Sequence, residues 1–80
     1  MTPEQEEVLT EIFRVTLKLP DLVLRDDLMA KDVPEWDSFN HISLIFSAED
    51  KFGIMFQVEE VASVHNVGEL KSIISNKVAE

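Results

Sequence analysis

The stretch from Asp37 to Gly53 constrains the fold most, because a helix start signal, helical apolar spacing and a helix stop signal occur there in one run. Asp37 and Ser38 are residue types preferred at helix N-caps. Gly53 suits the left-handed conformation in which many helices end. The run therefore predicts a helix from Ser38 to about Lys51, with Gly53 as its C-terminal cap.

The apolar residues of this helix fall into two separate stripes when they are placed at about 100° per residue. One stripe can face a core, and the second has two interpretations. Both stripes are buried in a small bundle, or the second is a partly exposed surface that binds a partner protein, since contiguous exposed apolar residues mark interaction surfaces. The first stripe contains Leu44, Ile45, Ala48 and Phe52, and the second contains Phe39, Ile42 and Phe46.

The N-terminal segment carries a helix start signal of its own. Thr2, Pro3 and Gln5 form a capping box with proline at the first helical position, which predicts a helix that begins near Pro3 and is ended by Pro20. The segment from about Asp21 to Trp36 contains only scattered apolar residues, so we expect a long ordered loop that its leucines fix to the core.

Two further helices follow the central one. A short third helix fits Val58 to about Ala62, and a capping pattern of Asn66 with Glu69 begins a fourth helix with apolar residues at helical spacing. No strand-period pattern is long enough to nucleate a sheet. The sequence predicts an all-α fold, a small four-helix bundle with a long first loop and a short third helix, in a single domain of residues 1–80.

Composition excludes several classes of function. Acidic residues outnumber basic ones 16 to 7, and the resulting net charge of −9 repels nucleic acids and anionic membranes while favouring basic protein partners. The alternative is that the charge serves solubility alone. There is no cysteine, so any thiol chemistry must come from a cofactor. The apolar runs are too short to span a membrane and the N-terminus is acidic, so we expect a soluble cytoplasmic monomer.

The charged residues do not form a recognisable metal site. The acidic residues of the first loop lack the spacing of a calcium-binding EF-hand. His41 and His65 are too far apart in sequence for a zinc pattern. We expect no bound metal, with His41 partly buried on a first helical turn and His65 in a loop.

Three segments together resemble the acyl carrier protein family, and the similarity extends over nearly the whole chain. They are residues 34–42, residues 49–54 and residues 67–74. In that family an Asp-Ser-Leu tripeptide begins the second helix, and its serine bears 4′-phosphopantetheine, whose thiol holds acyl or aminoacyl groups as thioesters. The resemblance implies that Ser38 is the attachment residue and that Asp37 is the helix cap beside it. Phe39 replaces the usual leucine.

The resemblance also implies the function. A phosphopantetheinyl transferase would load Ser38 from coenzyme A, and the chain would carry intermediates between loading and processing enzymes without catalysing a reaction itself. Because this helix is less acidic than that of typical fatty acid carriers, a specialised stand-alone carrier is expected, with fatty acid and polyketide pathways both open. The expected docking residues are Phe39, Ile42, Ser43, Phe46, Glu49 and Asp50.

Two other functions remain open on the residues alone. The chain could be an unmodified helical domain that binds a partner through the second stripe. A small hydrolase using Ser38 with His41 is disfavoured, because no third catalytic residue or glycine-rich turn accompanies them.

For a carrier, one group of apolar residues has two interpretations: they line a cavity for the cargo, or they simply form the core. These residues are Leu44, Ile45, Phe52, Ile54, Phe56, Val61 and Ile73.

Overall fold

Residues 1–79 form four α-helices, joined by one long connection and two short ones. The structure is a computed structural model that describes residues 1–79, so Glu80, the last residue of the predicted domain, lies outside the described residues. The all-α bundle with a long first loop and a short third helix is confirmed, with one isolated antiparallel bridge between Met29 and Asn66. The helices are α1 (Pro3–Leu17), α2 (Ser38–Phe52), α3 (Val58–Ser63) and α4 (Val67–Ala79).

The start signals in the sequence lie where the helices begin. The Thr2 hydroxyl accepts a hydrogen bond from the Gln5 backbone N–H at 3.2 Å, and the Gln5 side chain accepts one from the Thr2 N–H at 2.9 Å. At α4 the Asn66 side chain accepts from the Glu69 N–H at 2.8 Å. These bonds satisfy backbone donors that have no intrahelical acceptor, which is why the two helices begin there.

Helix α1 ends before Pro20, the residue predicted to stop it. Lys18 adopts the left-handed conformation with φ 58°, and the Leu19 N–H donates to the Arg14 carbonyl at 3.0 Å. This is the bond of a Schellman cap, normally made with glycine at the left-handed position. Proline disfavours helical geometry in the residue before it, so the chain turns out of the helix in advance of Pro20.

The long first loop is ordered because it packs into the core and bonds to the start of α4. Its backbone accepts two hydrogen bonds from α4, from Val67 N–H to the Leu28 carbonyl at 3.0 Å and from Gly68 N–H to the Asp26 carbonyl at 2.8 Å. A side chain on Gly68 would meet the Asp26 carbonyl oxygen at 3.1 Å, so the two segments lie in close contact. The loop residues buried in the core are Leu28, Val33 and Trp36.

Lys71 adds an ionic contact to the same junction. Its Nζ lies 3.0 Å from a carboxylate oxygen of Glu6 on α1 and 3.0 Å from one of Asp26 in the loop. Burial alone lowers the pKa of Lys71, and the two carboxylates outweigh burial so that the pKa is raised. The ammonium therefore ties α1, the loop and α4 together.

One hydrophobic core lies between the helices, with α1 packed against α2. Helix α3 contributes no fully buried side chain; half-buried Val61, with Val64 just after the helix, covers one edge of the core. Among residues 1–79, no helix has both the length and the apolar content needed to cross a membrane. The fully buried side chains include Leu9, Phe13, Leu44, Val67, Leu70 and Ile74.

Candidate functional site

The N-terminus of α2 is fixed by a small hydrogen-bond network. Asp37 is its N-cap, and its carboxylate accepts from the Asn40 backbone N–H at 2.8 Å. The Asn40 side chain in turn donates to the Glu35 carbonyl at 2.8 Å. The first intrahelical bond runs from the His41 N–H to the Asp37 carbonyl at 2.8 Å. The turn that precedes Ser38 therefore has a defined geometry.

Ser38 is the first residue of α2 and is exposed to solvent. Like any residues at the first helical positions, Ser38 and Phe39 have backbone N–H groups without an intrahelical acceptor. These groups and the helix dipole favour an anion at this end of the helix. A phosphodiester on the Ser38 hydroxyl would thus meet favourable electrostatics and no steric obstruction, and the residues present fit such a group.

An open groove of about 820 Å³ adjoins Ser38. One wall is the first turn of α2 with the end of the long loop, and the opposite wall is α3. Its lining is mainly apolar and consists of Ala30, Lys31, Trp36, Asp37, Ser38, His41, Ile42, Val58, Val61, Ala62 and Val64.

His41 joins the two walls of this groove. The Trp36 indole N–H donates to His41 Nδ1 at 3.0 Å. Because an indole nitrogen only donates, Nδ1 must be the unprotonated nitrogen, and Nε2 carries the proton. Nε2 lies 3.2 Å from the carbonyl oxygen of Val61 on α3 and donates to it. The neutral imidazole thus connects the end of the loop, α2 and α3, in the partly buried position expected for His41.

A second polar contact holds α3 from the side of α4. Lys77 Nζ lies 2.9 Å from the Glu60 carboxylate, which also accepts the Gln57 N–H at 2.7 Å. The hydrogen bond from Gln57 and then the contact with Lys77 lower the pKa of Glu60 below its ordinary value of 4.5. The Glu60 carboxylate is therefore charged at neutral pH, and it caps the start of α3 while it pairs with α4.

The second apolar stripe of α2 faces solvent. We call it the outer strip; its members Phe39, Ile42 and Phe46 are 79%, 44% and 64% exposed. Next to it, Asp50 is exposed, whereas the Ser43 hydroxyl donates back to a backbone carbonyl. Glu49 is half-buried, and its carboxylate accepts the Phe56 N–H at 2.9 Å. The structure thus gathers the expected docking residues on one helix, but two of them use their polar groups internally.

The groove differs from the cavity that the apolar pattern indicated. Of the seven residues named as possible cavity lining, Val61 lines the groove, whereas Leu44 and Ile45 are buried in the core. Sequence reasoning did not assign a contact to His41. Its spacing from Trp36 and Ser38 was a signal that it faces their side of α2, but its bond to Val61 depends on how α3 packs.

Comparison with known proteins places the whole fold in one family. The chain is similar to the solution structure of a holo acyl carrier protein from Geobacter metallireducens, with a TM-score of 0.85 and 36% sequence identity over 91% of this chain and 84% of that one. No protein-family model and no curated protein sequence matches the chain. At this identity and coverage the likeness extends beyond the fold, and it agrees with the Asp-Ser turn at the start of α2. The chain therefore belongs to the acyl carrier protein family and is a carrier protein rather than an enzyme.

Proposed function

We propose that Ser38 bears 4′-phosphopantetheine and that the protein shuttles thioester-bound acyl or aminoacyl intermediates between biosynthetic enzymes. The observation that supports this proposal most is the position of Ser38. It is an exposed hydroxyl on the first turn of a capped helix, beside an open groove, in a member of the carrier family. The holo state of the Geobacter metallireducens protein supports the choice of cofactor.

The loading step needs a transferase, Mg²⁺ and coenzyme A. The Ser38 oxygen forms a bond to the phosphorus that carries pantetheine, the bond from that phosphorus to the adenosine bisphosphate breaks, and the hydroxyl proton is released. The protein itself contributes by presenting the Ser38 hydroxyl to the transferase. Asp37 orders the turn through the Asn40 N–H, and the first backbone N–H groups of α2 would stabilise the added phosphodiester charge.

We propose that partner enzymes bind the exposed side of α2. The outer strip supplies apolar contacts, and Asp50 supplies a free charge at the far end of the helix. From Ser38 to Ala48 the helix has no acidic residue, which favours a specialised stand-alone carrier over a typical fatty acid carrier. The solvent-exposed parts of the Ser43 and Glu49 side chains complete the proposed docking surface.

Intact-mass measurement tests the proposal directly. Wild-type protein incubated with coenzyme A, Mg²⁺ and a broad-specificity phosphopantetheinyl transferase should gain the mass of one phosphopantetheine. Ser38→Ala should gain nothing while keeping the helical circular dichroism of the wild type. Ser47→Ala, on the same helix, is the matched control and should be modified fully.

Two results would remove the carrier proposal. One is modification of Ser38→Ala, and the other is failure of the wild type to react with several transferases that modify a control carrier. An unmodified but folded chain would favour the alternative of a helical domain that binds partners through the outer strip.

A further inference from the structure

His41 has two hydrogen bonds that together require a neutral ring. Trp36 Nε1 can only donate, so His41 Nδ1 must accept, and Nε2–H donates to the Val61 carbonyl. We propose that His41 is a positioning residue that clamps α3 to the first turn of α2 while its imidazole is neutral and releases α3 when the ring is protonated. We call this bridge from Trp36 through His41 to Val61 the His41 clamp.

Protonation disrupts the clamp at its Trp36 end. A proton on Nδ1 would face the indole N–H, placing two donors against each other with no acceptor between them. Trp36 is fixed, since it is only 4% exposed and packs edge-on against Phe13 with ring centroids 5.1 Å apart. The imidazole must therefore move, and its bond to Val61 moves or breaks with it.

Helix α3 is the element that this movement affects. It has six residues and no fully buried side chain, and a helix this short is not stable without tertiary contacts. The Val61 carbonyl lies in its last turn, where carbonyls lack intrahelical donors, so the His41 bond satisfies a group that otherwise needs water. Release of His41 leaves α3 held by the half-buried Val61 side chain and by the contact between Glu60 and Lys77.

Other charged groups near His41 lie at the groove and on α3. Lys31 and Asp37 line the same groove, and the Asp37 carboxylate accepts the Asn40 N–H. From α3, Glu59 and Glu60 are the charged residues. Because the pKa of Glu60 is lowered, its stabilising contact is present above pH 4.5 and is lost only as the pH falls through the lower folded-state value.

Histidine is the side chain whose charge changes between about pH 5 and pH 8. A change in α3 within that window therefore reports on a histidine rather than on Glu60. For the proposed function the consequence is local: α3 is the far wall of the groove beside Ser38, so protonation widens the groove where the phosphopantetheine arm leaves the helix. This consequence rests on the carrier proposal, whereas the clamp itself rests on the geometry of the unmodified protein.

Hydrogen exchange measured by NMR on the full unmodified chain tests the clamp. Exchange rates of α3 amides, corrected for their intrinsic pH dependence, should rise about 2- to 10-fold between pH 7.5 and pH 5, the range expected for the net loss of one hydrogen bond. The resonance of the single indole N–H should shift over the same pH range, since the chain has one tryptophan.

Three variants separate the clamp from general acid effects. His41→Gln can accept from Trp36 and donate to Val61 without titrating, so its α3 exchange should stay slow at both pH values. His41→Phe keeps a ring but makes neither bond, so its α3 should exchange fast at both. His65→Gln, which removes the other imidazole, should behave like the wild type.

Wild-type exchange that does not change with pH, or a pH response that persists in His41→Gln, would overturn the clamp. The same variants can then be loaded with phosphopantetheine. The KM of the transferase for His41→Gln should match that for the wild type at pH 7.5, while that for His41→Phe should be raised. Complete absence of loading in all variants would count against the proposed function and leave the exchange result to decide the clamp.

Discussion

The carboxylate of Glu49 accepts a hydrogen bond from the backbone N–H of Phe56 at 2.9 Å, so this acidic residue orders the connection that follows α2. Glu49 is half-buried, whereas its neighbour Asp50 is exposed. A partner with a basic surface would therefore find a free carboxylate at Asp50 and an engaged one at Glu49. The two acids at the end of α2 have different roles, although the sequence shows them side by side.

We expect the association rate with a transferase to fall as salt is raised, because a net charge of −9 attracts basic partners over distances that salt screens. Asp50→Lys at low salt should have the same effect, a several-fold slower association with little change in dissociation. Stopped-flow kinetics measures both rates.

The control for charge reversal is Glu49→Gln, which removes a charge and retains an acceptor for the Phe56 N–H. It should slow association less than Asp50→Lys and keep the wild-type unfolding midpoint. If the association rate changes neither with salt nor in Asp50→Lys, recognition depends on the outer strip alone.

Phe46→Ala should weaken partner binding with little loss of stability, because the Phe46 side chain is 64% exposed. The matched variant Phe13→Ala removes a fully buried ring that packs against Trp36, and it should cost about 3 to 5 kcal/mol of unfolding free energy. Urea denaturation of both variants measures the change in unfolding free energy. The transferase KM for Phe46→Ala measures the change in partner binding. Equal destabilisation by the two substitutions would contradict the solvent-facing position of the outer strip.

Asp37→Ala should lower the free energy of unfolding by about 0.5 to 2 kcal/mol, because the Asn40 N–H loses its capping acceptor. It should also slow loading at Ser38 by loosening the turn. Asp37→Asn keeps a capping oxygen without the charge and should restore most of the stability. If Asp37→Asn restores stability but not the loading rate, then the transferase recognises the negative charge of the Asp37 carboxylate directly.

Substitutions at the C-terminal ends of α1 and α2 are expected to change stability in opposite directions. Lys18 and Gly53 both adopt the left-handed conformation, with φ 58° and 66°. Gly53→Ala should destabilise the fold by about 1 kcal/mol although an added Cβ would meet no atom within 4 Å, because the cost comes from the backbone. Lys18→Gly should relieve the same strain and stabilise by up to about 1 kcal/mol. Thermal unfolding of both variants checks the signs.

The helices were predictable because their signals are local. The capping box of Thr2 and Gln5, the N-cap Asp37 and the C-cap Gly53 lie within one turn of the residues that they affect. The left-handed conformation of Lys18 at the end of α1 was not, because lysine rarely adopts it.

The site was predictable only where it lies on one helix. The positions of Ser38, Asp37 and the outer strip follow from helical spacing within α2. By contrast, the partners of His41 and Glu49, the Val61 carbonyl and the Phe56 N–H, lie on later segments. No periodicity in α2 specifies those contacts, since they depend on the packing of α3 and of the connection before it.

The backbone bonds from Val67 and Gly68 to the long loop also set an order of events during synthesis. The loop leads directly into the turn that precedes Ser38, yet the residues that fix it belong to α4, which is synthesised later. A nascent chain that lacks α4 exposes the serine without the anchored turn. Loading by a transferase at the proposed site should therefore follow the synthesis of α4.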